Sequence, residues 1–130
     1  MKLSLHSEYA LLTLIHLARI NQAVSATEIA ALQQIPAESL AEILSALRSS
    51  GYIVQDSTGG QVQLAKGAAE ISVGEIIRLF DGALAPLEPV SSKGYAPAPM
   101  DREEKLSGLF EQIQEQIIER LENTTIAEMA

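Results

Sequence analysis

Leu40, Ile43, Leu44 and Leu47 fall at i, i+3, i+4 and i+7 between Pro36 and Gly51. That spacing is a short helix with one buried stripe, opened at the proline and stopped at the glycine. Upstream, Ser25-Ala26-Thr27-Glu28 has the form of a capping box, in which Ser25 accepts from the third amide and Glu28 reaches back. It opens another short helix, carrying Ile29, Ala30 and Leu32. Earlier still, Tyr9 to Ala18 is apolar on nearly every face and lacks Gly and Pro, which reads as a buried helix with Ser7 at its N-cap. After Gly51, Tyr52-Ile53-Val54-Gln55 and Gln61-Val62-Gln63-Leu64 flank Ser57-Thr58-Gly59-Gly60. Two β-prone runs about a Gly-Gly type I′ turn make a hairpin. Three helices followed by a hairpin is the element order of a winged helix-turn-helix.

A second capping box, Ser72-Val73-Gly74-Glu75, starts a helix through Ile76, Ile77, Leu79 and Phe80 that stops at Asp81-Gly82. Residues 83–100 hold four of the five prolines, so they form an extended or irregular loop, functional or flexible. Asp101-Arg102-Glu103-Glu104 then caps a long helix with a stripe of Leu106, Leu109, Phe110, Ile113, Ile117 and Leu121. A stripe of that kind needs a partner, either the parent domain or the same helix of a second subunit about a two-fold axis. The expectation is the homodimer. The fold is therefore mainly α with a small β-hairpin: a winged helix-turn-helix over 1–66, a connecting helix over 67–82, a loop over 83–100, and a dimerisation helix with its tail over 101–130.

Charge and composition remove whole classes of function. With 130 residues the chain is one domain. Nine basic against seventeen acidic residues give −8, yet residues 1–66 carry only −1 of it (Lys2, Arg19, Arg48 and Lys66 against five acids). A near-neutral first half and an acidic second half suggest two jobs. The absence of cysteine removes disulfides, thiolate zinc sites, cysteine-ligated clusters and a cysteine nucleophile. No phosphate-binding P-loop or nucleophile elbow occurs, so an enzyme is not expected. No secretion signal and no run of 18 apolar residues is found, which points to a cytoplasmic chain without membrane contact. His16, inside an apolar helix, reads as a hydrogen-bonded, half-buried side chain rather than a metal ligand. Glu103-Glu104 and Glu115/Glu119 read as a solvated helix face rather than a calcium site.

Taken in order, Met1-Lys2-Leu3-Ser4, Tyr9-Ala10-Leu11, Glu28-Ile29-Ala30, Leu47-Arg48, Gly51-Tyr52-Ile53, Ile71-Ser72-Val73-Gly74-Glu75-Ile76-Ile77, Asp81-Gly82, Leu84-Ala85-Pro86 and Thr124-Thr125-Ile126-Ala127 resemble the Rrf-two family of bacterial winged-helix regulators. That family includes iron–sulfur, nitric-oxide and cysteine-metabolism repressors. The resemblance implies a homodimeric transcription regulator that binds a palindromic DNA operator and answers a small-molecule or protein effector. The DNA-binding set it implies is Lys2, Ser4, His6, Tyr9, Ser25, Thr27, Glu38, Ser39, Glu42, Arg48, Thr58, Gly59 and Gly60. Its dimer interface would be Leu106, Leu109, Phe110, Ile113, Ile117 and Leu121. The chain departs from the pattern in two places. The three cysteines that hold the family's cluster are replaced near Ser92, Ala98 and Glu104 or Lys105, so no family-type cluster and no cofactor is expected. This is either a cluster-free branch or a chain whose cysteines were removed. The recognition helix reads Leu40-Ala41-Glu42 where the family carries Leu-Glu-Gln, and Arg48 is its only cation. The alternative is a ligand-sensing or protein-interaction module with weak DNA binding.

Overall fold

A computed structural model describes residues 2–57, 60–82 and 99–130. Helix α1 (Leu5–Ile20) starts one turn earlier than the apolar run suggested. Its N-cap is Ser4, whose Oγ accepts from the Ser7 amide at 3.1 Å, and not Ser7. Ser7 is instead fully buried, and its hydroxyl donates to Asp81 Oδ2 at 2.7 Å. A carboxylate brought from the far side of the chain thus decides between two serines that look alike in sequence. Ala10, Leu14 and Leu17 face the core, and the buried Thr13 hydroxyl is satisfied by the Tyr9 carbonyl at 2.8 Å. His16 is half-buried, but its Nε2 has no hydrogen-bond partner. The hydrogen bond expected of His16 is not made at this nitrogen.

Helices α2 (Ala26–Gln33) and α3 (Ala37–Ser49) make the helix-turn-helix. Ser25 caps α2 by accepting from the Glu28 amide at 3.1 Å. Ile29 turns inward, whereas Leu32 is 61% exposed, contrary to its place in the expected apolar set. With only eight residues, α2 has room for one inward face, and Leu32 lies off it. In α3 the whole stripe Leu40, Ile43, Leu44 and Leu47 is buried, and Gly51 leaves the helix at φ +84°, a conformation glycine adopts without penalty.

The sheet has three strands, not two. β2 (Ile53–Gln55) and β3 (Gln61–Leu64) form the expected hairpin, and β1 (Val24–Ser25) adds to the other edge of β3 in the order β1-β3-β2, all antiparallel. A two-residue strand has no alternation to read, so β1 was invisible in sequence. The turn is also wider than type I′. Asp56 N–H donates to the Gln61 carbonyl at 2.9 Å and Gly60 N–H to the Asp56 carbonyl at 3.2 Å, with Gly60 at φ +74°. Thr58 and Gly59 lie outside the described residues.

A 3-10 turn (Ala68–Glu70) leads into α4 (Val73–Asp81), where both halves of the capping box form. A second 3-10 turn (Pro99–Arg102) precedes α5 (Glu104–Asn123), capped by Glu103. The two helices cross so closely that a Cβ at Gly74 would lie 3.1 Å from the Glu122 backbone. The tail then folds back. Val73 N–H donates to the Thr124 carbonyl and Ile126 N–H to the Ile71 carbonyl, both at 2.8 Å, and α6 (Ile126–Met129) places Ile126 in the central core. Most of the proline-rich stretch, with Ser92 and Ala98, falls outside the described residues.

Candidate nucleic-acid interface

Burying the α3 stripe leaves Glu38, Ala41, Glu42, Ser45 and Arg48 exposed and Ser39 half-buried, a polar face on a rigid helix. Side chains from neighbouring elements hold that face at both ends. Arg48 donates through Nη1 to Gln55 Oε1 of β2 at 2.6 Å, joining the helix to the wing. His6 of α1 brings Nε2 to 3.0 Å from Glu42 Oε2. Between α2 and α3 runs a groove of about 390 Å³ whose walls include Thr27, Ala30, Ala37 and Ala41, with Arg48 and Gln55 at its end.

The other candidate residues are placed as follows. Lys2 and Thr27 are exposed, while Tyr9 is half-buried against the core. Ser4 and Ser25 both spend their hydroxyl oxygens on helix caps. The Gly60 amide goes to Asp56, and the Gly60 carbonyl accepts from the Ala26 amide at 3.2 Å, so this glycine ties the wing to the start of α2. Gln55 and Asp81 escaped the sequence reading. Gln55 looked like an ordinary strand residue, and Asp81 looked only like part of a helix stop.

Asp81 closes α4 and anchors the start of α1. Burial raises its carboxyl pKa, but hydrogen bonds from Ser4 and Ser7, together with His6 nearby, outweigh that and hold it below the usual 3.8. A lowered native pKa stabilises the fold above the ordinary value, and that contribution is lost as pH falls through the native one. Acid melts of Asp81→Asn should therefore lose less stability than wild type below about pH 4. Equal acid limbs in the two proteins would show that the contact is not stabilising. Behind the wing, Tyr52 is pushed up to about 12 by burial and by its hydrogen bond to Glu75, and Lys66 Nζ sits 5.1 Å from its ring centroid. Arg78 pairs with Glu122, linking α4 to α5.

On α5 the apolar stripe is only partly covered. No residue of the helix is buried; Leu106 and Leu109 are 40% and 50% exposed, and Phe110, Ile113, Ile117 and Leu121 are half-buried.

The sequence profile of the Rrf2 (Rrf-two) family, described as iron-dependent transcriptional regulators, matches residues 3–130. This chain belongs to the Rrf2 family. A candidate HTH-type transcriptional regulator of Mycobacterium tuberculosis, Rv1287, is 30% identical over 135 aligned positions that cover all of this chain and 81% of the relative. Among solved structures, CymR of B. subtilis, the global cysteine regulator, superposes with a TM-score of 0.79 at 26% identity, covering 100% of this chain and 96% of CymR. CymR of Staphylococcus aureus gives 0.76 at 28% identity over 98% of this chain and 96% of that one. T. potens IscR, at 24% identity over 99% of this chain and 85% of that one, shares the fold with a TM-score of 0.71. The chain is thus a winged-helix member of a family of transcriptional regulators and not an enzyme. The family's iron dependence does not fit the donors present. There is no thiolate in 130 residues, and the two histidines stand ten residues apart on α1, about 15 Å along the helix. His6 is engaged by Glu42, and the described residues hold no group of three His, Asp or Glu able to cage a metal. Among them, no helix is long and apolar enough to cross a membrane.

Proposed function

We propose that this Rrf2 protein is a homodimeric DNA-binding repressor that acts in the cytoplasm without an iron–sulfur cluster and answers a small-molecule or protein effector. The observation that carries the reading is the α3 face: its apolar stripe is sealed in the core, and Glu38, Ser39, Glu42, Ser45 and Arg48 are left for an external partner beside a braced wing. The recognition segment, about Ala37–Ser50, would enter the major groove of a palindromic operator. Each wing, Gln55–Gln61, would lie over the flanking minor groove, with half-sites about one helical turn apart. The dimer would bury the α5 stripe, which supports the reading by being only half-covered within one subunit. The direct test is binding to the DNA upstream of the protein's own gene at two salt concentrations. A weak salt dependence is expected from so few cations, and no binding at low salt overturns the reading.

Arg48 and Glu42 should separate phosphate contact from base readout. Arg48 stands in the last turn of α3, where phosphate is nearer than base edges. Arg48→Ala should weaken binding to all sequences alike and lower the salt slope by about one. Glu42→Ala should change the preferred sequence, at about 1–3 kcal/mol per lost base contact. Arg48→Ala shifting the preference while Glu42→Ala leaves it intact would place the helix differently in the groove. Protein purified without oxygen should be colourless and free of stoichiometric iron and sulfide. A visible absorption band that tracks iron and sulfide would overturn the cluster-free reading.

A second reading is favoured by one observation: the recognition helix has a single cation, Arg48, and its guanidinium already spends one donor on Gln55. In that reading the chain is an interaction or ligand-sensing module with weak or no DNA binding, and absence of binding in the same assay would select it.

A further inference from the structure

We infer that His6 is a positioning residue for Glu42, holding one carboxylate oxygen so that the other is presented to a base amine, and that DNA binding is thereby linked to proton uptake at this pair. The inference rests on the DNA-binding reading and deepens it.

Three observations carry it. His6 Nε2 and Glu42 Oε2 come from different elements, α1 and α3, and lie 3.0 Å apart. Both side chains are accessible, 46% and 68% exposed, on the open side of the recognition helix, so the pair faces whatever α3 binds. The place of His6 is fixed from below. Asp81 Oδ2 accepts from the Ser4 amide at 3.2 Å and from the buried Ser7 hydroxyl at 2.7 Å, and the Phe80 ring centroid stands 6.5 Å from the imidazole. The first turn of α1 is therefore locked to the end of α4, and the imidazole is aimed rather than free.

A carboxylate has two acceptor oxygens, and the contact with His6 uses one. The other, Oε1, remains to accept from the exocyclic amine of cytosine or adenine in the major groove. Fixing the carboxylate removes side-chain freedom that base binding would otherwise have to freeze. Charge points the same way. Among the described residues, Glu42 faces His6 from α3 and Asp81 from α4, with Lys2 and Glu8 on its own segment. A bare Glu42 carboxylate near DNA phosphates is repelled, whereas a Glu42–imidazolium pair is neutral. Phosphates arriving beside an imidazole also favour its proton. By reciprocity, protonating His6 then favours DNA, and one linked proton changes the affinity by at most tenfold per pH unit.

The test uses the full chain and a duplex that wild type selects from a random pool at pH 7, with binding followed by fluorescence anisotropy from pH 6 to 8 at constant ionic strength. Wild type should bind more tightly as the pH falls from 8 to 6, by up to tenfold per unit. His6→Gln should flatten that profile, and His6→Arg should bind at every pH as wild type does at pH 6. Glu42→Gln should reduce the pH slope although His6 is still present. A merely structural role for His6 would lower affinity equally at all pH values and leave the slope unchanged. A wild-type slope retained in His6→Gln, or a flat profile in wild type, overturns the inference while DNA binding stands. Failure of wild type to select any duplex instead overturns the DNA-binding reading beneath it.

Discussion

On the homodimer reading, a chain carrying Ile113→Glu and Ile117→Glu should run as a monomer in multi-angle light scattering, or be insoluble, at concentrations where wild type should run as a dimer. Helix α5 is twenty residues long with no buried side chain, though it carries an apolar stripe from Leu106 to Leu121. Its neighbour in the subunit is α4, which meets it closely at Gly74 and Glu122 and through the Arg78–Glu122 pair, leaving the stripe half-covered. Fully burying an isoleucine is worth about 1.5–3 kcal/mol, and these two, already half-buried, have about half of that left to gain against a partner helix. Two per subunit, counted on both sides of a two-fold axis, are worth several kcal/mol, and carboxylates there must be desolvated as well. A double variant that keeps wild-type helicity and remains dimeric would move the interface off this stripe.

Ile126→Ala should be nearly as damaging, but to the fold itself. Ile126 is 0% exposed and shares the central core with Ile71, Ile76 and the α3 stripe. Truncating such a side chain costs about 2–5 kcal/mol, through lost transfer energy and the cavity left behind. A chain of this size has about 5–15 kcal/mol in total, so the melting temperature should fall by roughly 10 °C or more. Met129→Ala, at a position 44% exposed in the same short helix, is the control and should melt close to wild type. Both are compared at one protein concentration, since dimerisation adds its own dependence. If Ile126→Ala melts with wild type, the docked tail is not part of the cooperative unit.

The sequence was most readable where a signal is local and repeated. The α3 stripe, the Gly51 stop and the Ser72–Glu75 box need only residues within a turn or two of each other, and all three stand as expected. What escaped depends on partners distant in the chain. Ser4 and Ser7 differ as caps only because Asp81 arrives to take the Ser7 hydroxyl. The strand β1 exists because Val62 and Gln61 lie beside Val24 and Ser25. Leu32 is apolar yet exposed, so periodicity overstated its role in the core. For the candidate site, the face of α3 followed from its buried stripe, since what is not sealed must face out. The His6–Glu42 and Arg48–Gln55 contacts did not, because no spacing rule joins α1 or β2 to a recognition helix.

The position of β3 between β1 and β2 bears on the thermodynamics of association. A two-stranded arm alone would be marginal in water and would have to order as it met a partner. Here the inner strand is bonded on both edges, and the Gly60 carbonyl takes the Ala26 amide, so the base of the wing is ordered before any encounter. Calorimetry of complex formation should then show a heat-capacity change that matches the apolar area buried by rigid docking, without the larger change that accompanies coupled folding. Lengthening the loop at its tip would leave this pre-organisation intact, whereas Val24→Pro, which bars an extended ladder partner, would turn the wing into a segment that folds only on contact.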